Sequence, residues 1–163
     1  MNKYRYLREK NKRDERLETI KAKMKRYQKD MKLAKEINLE IEDLRSGVID
    51  INSGISNTDP VQGGGISLED RYYNAFDDII ELERELKSIN QDNKALLQAI
   101  SDLPEGEEKE FMKHLWIYKD ESVRTLEEKY HLAKSSVQRK SDNALIDLHR
   151  KLYIEVYKEV DPK

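Results

Sequence analysis

Several residue types that mark disulfide-rich, membrane or aromatic-core proteins are scarce in this chain of 163 residues, which has no cysteine, one tryptophan and two phenylalanines. Without cysteine the chain can form neither a disulfide framework nor a thiolate metal site. No apolar run approaches the ~20 residues that a membrane-spanning helix needs, and the N-terminal end is charged rather than signal-like. The expectation is therefore a cytoplasmic protein without a membrane partner.

Glycine and proline are also rare where they would interrupt a helix. All six glycines and all three prolines fall outside the long periodic segments. Charged residues make up 39% of the chain and hydrophobic residues 37%, a balance more typical of long solvated helices than of a large compact core. We therefore predict an all-α fold, with long coiled-coil-like helices at the N-terminal side and a small helix-turn-helix domain after them.

The low net charge hides two blocks of opposite sign. Residues 1–35 carry 14 Lys and Arg against 5 Asp and Glu, a balance of +9, whereas residues 36–100 carry 5 against 14, a balance of −9. Opposite blocks on successive helices can pair within a chain or between chains. The alternative is that each block is simply a solvated helix face.

Both blocks carry apolar stripes whose spacing alternates between three and four, the a/d periodicity of a heptad repeat. This spacing predicts a basic amphipathic helix over 1–45 and an acidic heptad helix over 67–101. Asn93 falls at an a-type position, where a buried amide penalises wrong registers. The stripes leave open whether the partner of each helix lies in the same chain or in a second subunit. The stripe residues are Leu17, Ile20, Met24, Tyr27, Met31, Ala34, Ile37, Ile41 and Leu44 in the first helix, and Tyr72, Ala75, Ile79, Leu82, Leu86, Ile89, Asn93, Leu96 and Ile100 in the second.

A glycine-rich segment, residues 46–66, separates the two predicted helices and contains five of the six glycines. The simplest interpretation is a flexible connector. A loop of this length is unusual in a small domain, so a working surface is the second interpretation. The Gly63–Gly65 run is not followed by Gly-Lys-Ser or Gly-Lys-Thr, so it does not match a phosphate-binding loop.

The segment from 122 to 148 has the apolar spacing of a helix-turn-helix. Leu126 and Tyr130 would face the core from the first helix, and Leu132 would fill the angle at the turn. The second helix would bury Val137 and, further along, Ala144 and Leu148. Outward-facing residues of the types that read base edges or hold phosphates are Lys134, Ser135, Gln138 and Arg139. A plain helical hairpin has the same spacing and is the alternative.

From 45 to 152 the order of elements resembles the late-gene transcriptional regulators of phages of Gram-positive bacteria, the ArpU/RinA-type group. The resemblance rests on the glycine-rich linker, the acidic helix ending at Leu103-Pro104, the segment Leu115-Trp116-Ile117-Tyr118 and the Ala144-Leu145 pair. The C-terminal part, residues 105–158, resembles region four of bacterial sigma factors. Four positions depart from the usual pattern. Glu127 stands where a small residue is expected, His131 where a glycine is expected and Lys140 where an apolar residue is expected, and Ala133 is the fourth departure.

The resemblance implies a sequence-specific DNA-binding regulator, an activator of phage late genes in the host cell. It implies double-stranded DNA and host RNA polymerase as partners, and a homo-oligomer. The predicted DNA-binding residues form two groups. On the second helix they are Lys134, Ser135, Gln138, Arg139 and Lys140, and in the basic N-terminal segment they are Arg5, Arg8, Lys10, Lys12 and Arg13. The alternatives are a coiled-coil adaptor, or a packaging or replication accessory protein that binds DNA without reading its sequence.

No enzyme, cofactor, metal or small-molecule substrate is expected. The three histidines are too widely spaced for a ligand motif and are expected at the surface or at edges. No pair of carboxylates lies in an apolar setting that would suit acid–base chemistry. Phe111, Trp116 and Tyr118 are expected in the core of the C-terminal domain.

Overall fold

The computed structural model describes residues 3–54 and 67–153, with side chains described for 7–49 and 67–153. The described residues form helices and no strand, which confirms the predicted all-α class. The helices are α1 (Lys3–Gly54), α2 (Leu68–Ser101), α3 (Glu107–Met112), which continues as a π-helical segment (Lys113–Tyr118), α4 (Val123–Tyr130) and α5 (Lys134–Leu152). No helix in this part of the chain has an apolar segment of the length and hydropathy that a membrane crossing requires.

Helix α1 ends nine residues later than the predicted boundary at 45. The apolar spacing continues from Leu44 to Val48, which is buried, so the helix keeps covering apolar surface. Gly47 lies in this extension, where an isolated helical glycine costs only about 1 kcal/mol relative to alanine. The remainder of the predicted linker, 55–66, and the last predicted domain residues, 154–158, lie outside the described residues.

The chain divides into two units, which we call the hairpin unit (residues 30–92) and the terminal unit (residues 1–29 and 93–163). In the hairpin unit α1 and α2 pack as a helical hairpin within one chain. Arg45 of α1 contacts Glu83 of α2 at 2.7 Å, between Nη2 and Oε1. The apolar core between these helices consists of Ala34, Ile37, Ile41, Ile79 and Ile89, with Met31, Leu44, Leu82 and Leu86 packed against it.

In the terminal unit the first half of α1 lies with the helices that follow α2. Ile20 and Met24 are fully buried, and Asn93 is 6% exposed, as its heptad position predicts. The core that joins α3, α4 and α5 is built on Phe111, Leu126 and Val137, which are all fully buried. The helices of this unit are thus backed by apolar side chains on the faces that the sequence pattern predicts.

Two serine caps determine where helices begin. Ser67 Oγ accepts a hydrogen bond from the Asp70 amide at 3.0 Å and thereby caps the start of α2. Ser122 Oγ accepts one from the Thr125 amide at 3.1 Å and starts α4 in the same way.

Candidate nucleic-acid interface

Helices α4 and α5 are joined by a three-residue turn, residues 131–133. His131 ends α4 in the left-handed conformation, with φ 53° and ψ 42°, at the position where a glycine is usual. The amides of His131 and Leu132 both donate to the Glu127 carbonyl, and Leu132 packs against the Phe111 core. The turn is therefore closed by two backbone hydrogen bonds and packed by Leu132, although its left-handed residue, His131, carries a Cβ.

The first turns of α5 present a polar face to solvent. Lys134, Ser135, Gln138 and Arg139 are all exposed, whereas Val137, on the opposite side, is fully buried. Neither Lys134 nor Arg139 forms an ion pair within the described part of the chain. Two free cations and two uncharged hydrogen-bonding groups thus share one surface on a helix whose other side is held by the core.

The N-terminus of α5 also offers backbone donors. Its N-cap, Ala133, provides no side-chain hydrogen bond. The amides of Ser136 and Val137 donate to the Ala133 carbonyl, at 2.8 and 3.1 Å. The amides of Lys134 and Ser135 come before the first residues that can form intrahelical bonds, so they add donors beside the Lys134 ammonium group.

Lys140 does not share this face. Its ammonium group forms an ion pair with Glu107 of α3 and lies 5.9 Å from the centre of the Phe111 ring. The side chain is 28% exposed. Because α3 covers it, Lys140 closes the contact between α3 and α5, which accounts for a lysine at a position where helix-turn-helix proteins usually have an apolar residue.

Helix α1 lies beside the middle of α5, further from the turn. Lys21 Nζ is 2.8 Å from Asp142 Oδ1, and Arg13 Nη2 donates to Asn143 Oδ1 at 3.0 Å. Gln28 donates to the Trp116 carbonyl at 2.7 Å. Part of the positive charge of α1 is thereby used in contacts with the neighbouring helices.

The predicted N-terminal basic residues have different environments. Arg8 and Lys10 are exposed and form no ion pair among the described residues, and Lys12 is half-buried. Arg13 is exposed but hydrogen-bonded to Asn143. Arg5 belongs to α1, but its side chain lies outside those described. Asn143 is nine positions beyond Lys134, about 13 Å along the helix axis, so Arg13 and the four-residue face lie apart on α5.

Helix α4 and the turn before it carry much of the negative charge near this surface. Lys129 Nζ contacts Glu121 Oε1 at 2.8 Å, and this hydrogen bond raises the pKa of the Lys129 ammonium group. A hydrogen bond with His114 lowers the pKa of the Asp120 carboxyl group. Glu128 pairs with Arg124 at 3.2 Å. The net basic character of the candidate interface therefore belongs to α5 rather than to α4.

An open cavity of about 420 Å³ lies next to this face. Its lining comes from α1, the π-helical segment, α4 and α5, and consists of Lys21, Leu115, Trp116, Val123, Gln138, Ser141 and Asp142. Lys21 Nζ lies 5.9 Å from the centre of the Trp116 ring, so the cavity has an aromatic wall beneath a cation. Ser141 Oγ is buried and has no hydrogen-bond partner among the described residues.

Some residues that shape this unit were not predicted from the sequence. Lys109 is 4% exposed, and its Nζ donates to the carbonyls of Ser101 and Leu103 and contacts Glu105 at 2.5 Å. It thus satisfies the backbone at the end of α2. A lysine within a charged run gives no sign of such burial, and Lys109 lies eight residues beyond the end of α2, too far along the chain for a helix-capping pattern to predict the contact.

Two expectations about aromatic and imidazole side chains are wrong. Tyr118 is 58% exposed instead of buried, because the π-helical segment adds residues to each turn and rotates Tyr118 away from the core face. His149 is 7% exposed rather than at the surface, and its ring lies 4.6 Å from that of Tyr153, between centroids.

No family model matches this sequence, and it has no significant similarity to a curated protein or to a solved structure. Among the described residues no group of three or more His, Asp or Glu side chains is placed to hold a metal ion.

Proposed function

We propose that this protein is a sequence-specific double-stranded DNA-binding protein whose reading helix is α5, with α4, the turn at 131–133 and α5 acting as a helix-turn-helix. By its resemblance to the phage late-gene regulators, its role is activation of transcription together with host RNA polymerase. The proposal concerns the terminal unit alone, and it involves no catalytic chemistry.

One observation carries the proposal. The N-terminal turns of α5 expose Lys134, Ser135, Gln138 and Arg139 together, and neither cation is neutralised by an ion pair among the described residues. In helix-turn-helix proteins the N-terminal residues of the second helix contact base edges. A reading helix must also be held rigidly from behind, and the buried Val137 and Leu145 provide that support.

Each of the four side chains has a defined role under this proposal. Lys134 and Ser135, with the free amides at the start of α5, contact phosphate oxygens and nearby base edges. Gln138 is suited to the N6 and N7 positions of adenine, and Arg139 to the O6 and N7 positions of guanine. Lys140 takes no part, since it is paired with Glu107.

The basic residues of α1 serve a second purpose. Arg8 and Lys10 are exposed on the stretch of α1 that precedes Arg13, and Arg13 contacts α5 at Asn143. From there they are suited to phosphates that flank the bases read by α5. Contacts to phosphates add affinity without base preference.

The experiment that tests the proposal begins by selecting duplexes from a random pool with the full chain. Gln138→Ala and Arg139→Ala are then titrated against the selected duplex and against single-base mismatches. We expect Arg139→Ala to lose about 1–3 kcal/mol on the selected duplex and to relax preference at one base pair. Gln138→Ala should relax a different base pair.

A matched control is Arg84→Ala, which also removes one exposed arginine but lies on α2 in the hairpin unit. It should leave base preference unchanged. Circular dichroism checks that every variant remains folded. If both α5 variants bind all duplexes as the parent does, α5 is not the reading helix.

The exposed apolar side chains of the hairpin unit favour a second candidate, a coiled-coil interaction protein that does not read DNA. Low-salt titration separates the two, since the interaction protein selects no duplex. A packaging or replication accessory protein would bind DNA with a strong salt dependence and almost equal affinity for all sequences.

A further inference from the structure

The hairpin unit has a second apolar stripe on α2, apart from the one that packs against α1. Tyr73, Phe76 and Ile80 follow at spacings of three and four and are 63%, 41% and 43% exposed. The Tyr72 and Phe76 rings are in contact, with centroids 4.8 Å apart. Three large exposed apolar side chains on one helix face form a surface that water solvates poorly.

The position of this stripe is defined by the ion pair of the hairpin. Glu83 continues the stripe at a spacing of three from Ile80, and it contacts Arg45. On α1, Ile49 lies one turn beyond Arg45 and is 66% exposed. Ile49 of α1 and the apolar stripe of α2 thus lie on the side of the hairpin where Arg45 meets Glu83.

The charges along the same face of α2 have a definite order. Glu69 lies one turn before Tyr73, Arg84 lies one turn after Ile80, and Lys87 follows at a spacing of three. All three are exposed, and none forms an ion pair among the described residues. The face is therefore acidic at its start and apolar in its middle, and beyond Glu83, which is paired with Arg45, it is basic at its end.

This order is self-complementary about position 78. Glu69 and Lys87 each lie nine residues from position 78, and Phe76 and Ile80 each lie two residues from it. Two copies of α2 that cross antiparallel at position 78 place Glu69 opposite Lys87 of the second copy. The same register places Phe76 opposite Ile80 of the second copy.

We infer that this face is a homodimer interface, in which α2 of one chain packs antiparallel on α2 of a second copy to form a four-helix bundle from two hairpins. A twofold interface requires that one patch complements itself, and this charge order meets that requirement. Burial of the exposed apolar side chains supplies the affinity, and the two symmetric Glu69–Lys87 pairs set direction and register. The inference does not depend on DNA binding.

Sedimentation velocity of the full chain over a hundredfold range of concentration tests the inference first. We expect a dimer that dissociates on dilution. Phe76→Gln/Ile80→Gln should weaken dimerisation by about a hundredfold or more, because four apolar side chains no longer leave water in the assembly. Leu39→Gln is the matched control, since Leu39 is 52% exposed on α1 outside this face, and it should leave the dimer intact.

Charge reversal tests the register. Glu69→Lys and Lys87→Glu should each weaken the dimer by about tenfold, since each places like charges opposite one another twice per dimer. The double variant Glu69→Lys/Lys87→Glu should recover most of the parent affinity. Without that rescue, the antiparallel register at position 78 is wrong.

Two other outcomes also overturn the inference. A chain that stays monomeric at every concentration has no such interface. A dimer that survives Phe76→Gln/Ile80→Gln assembles through another surface. In the first of these cases, a lower melting temperature of Phe76→Gln/Ile80→Gln than of the unsubstituted chain would indicate that a segment of the same chain covers the face.

Discussion

Lys140 of α5 and Glu107 of α3 form an ion pair, and the Lys140 ammonium group lies 5.9 Å from the centre of the Phe111 ring. Lys134, six positions earlier on α5, is exposed and has no such partner among the described residues. The two lysines of one helix are therefore expected to have separable roles, one in holding α3 and the other in binding DNA.

We predict opposite effects for the two alanine variants. Lys140→Ala should lower the free energy of unfolding by about 0.5–1 kcal/mol, since the pair is partly exposed, and should leave DNA affinity nearly unchanged. Lys134→Ala should leave stability unchanged and reduce the slope of log affinity against log salt by about 1. Urea denaturation and salt-dependent binding measure these effects, and the reverse assignment would contradict the proposed interface.

The basic start of α1 should contribute affinity without preference. Arg8→Gln/Lys10→Gln removes two exposed cations, while the Arg13–Asn143 contact stays in place. We expect weaker binding to every duplex and a salt slope lower by about 2, with base preference unchanged. A changed base preference together with an unchanged salt slope would show that this segment reads the DNA sequence. A loss of stability without a loss of affinity would show that it only supports the fold.

The left-handed residue of the turn gives a prediction about stability. His131→Gly relieves the strain of a Cβ at φ 53°, about 1 kcal/mol, but increases the freedom of the unfolded chain by about 0.5–1 kcal/mol, so we expect a net gain of at most about 0.5 kcal/mol. Ala95→Gly, at an exposed position within α2, has only the second effect and should lose about 0.5–1 kcal/mol. His131→Val should lose at least about 1 kcal/mol, since a β-branched residue suits this conformation poorly. Urea unfolding of the three variants gives the order, and an equal response of both glycine variants would argue against strain at 131.

His149 gives a pH dependence. Burial, together with the positive charge of Arg16, lowers the pKa of the His149 imidazole below its usual value of 6.5. The unfolded chain then takes up a proton that the folded chain resists, so the stabilisation is complete above about pH 7 and is lost as pH falls through 6.5 and below.

Substitution should remove this dependence. Unfolding free energy of the parent should fall more between pH 7 and pH 5 than that of His149→Gln. His131→Asn, which removes an exposed imidazole, should behave as the parent. The pKa values of the Glu105 and Asp120 carboxyl groups are lowered, so their stabilisation is present above their ordinary values of 4.5 and 3.8 and is lost as pH falls through them. These two groups therefore affect the pH dependence only below the range in which His149 acts. Identical pH profiles for parent and His149→Gln would contradict this account.

Periodicity predicted the helices and their buried faces because burial in a helix repeats with the same spacing as the side chains. Ile20, Met24 and Asn93 are buried for that reason, and Val137 is buried behind the four exposed residues of α5. Spacing along one helix contains no information about its neighbours. The Lys140–Glu107 pair and the burial of Lys109 therefore became visible only in the packed unit.

Two features of the fold could not be read from the residue pattern, namely the end of α1 and the orientation of Tyr118. The cost of Gly47 in a helix is smaller than the benefit of burying Val48, so the helix continues. The π-helical segment has no characteristic sequence period, so the rotation of Tyr118 could not be anticipated.

The π-helical segment Lys113–Tyr118 also bears on how distant relatives of this chain would align with it. A turn closed by i→i+5 hydrogen bonds holds one more residue than a turn closed by i→i+4 bonds. A homologous chain whose corresponding turn is α-helical would be one residue shorter there and yet keep α4 and α5 in place. An alignment that allows no gap inside a helix would be displaced by one position after that turn. Each residue of α5 would then be aligned with the residue next to its true equivalent in the homologous chain.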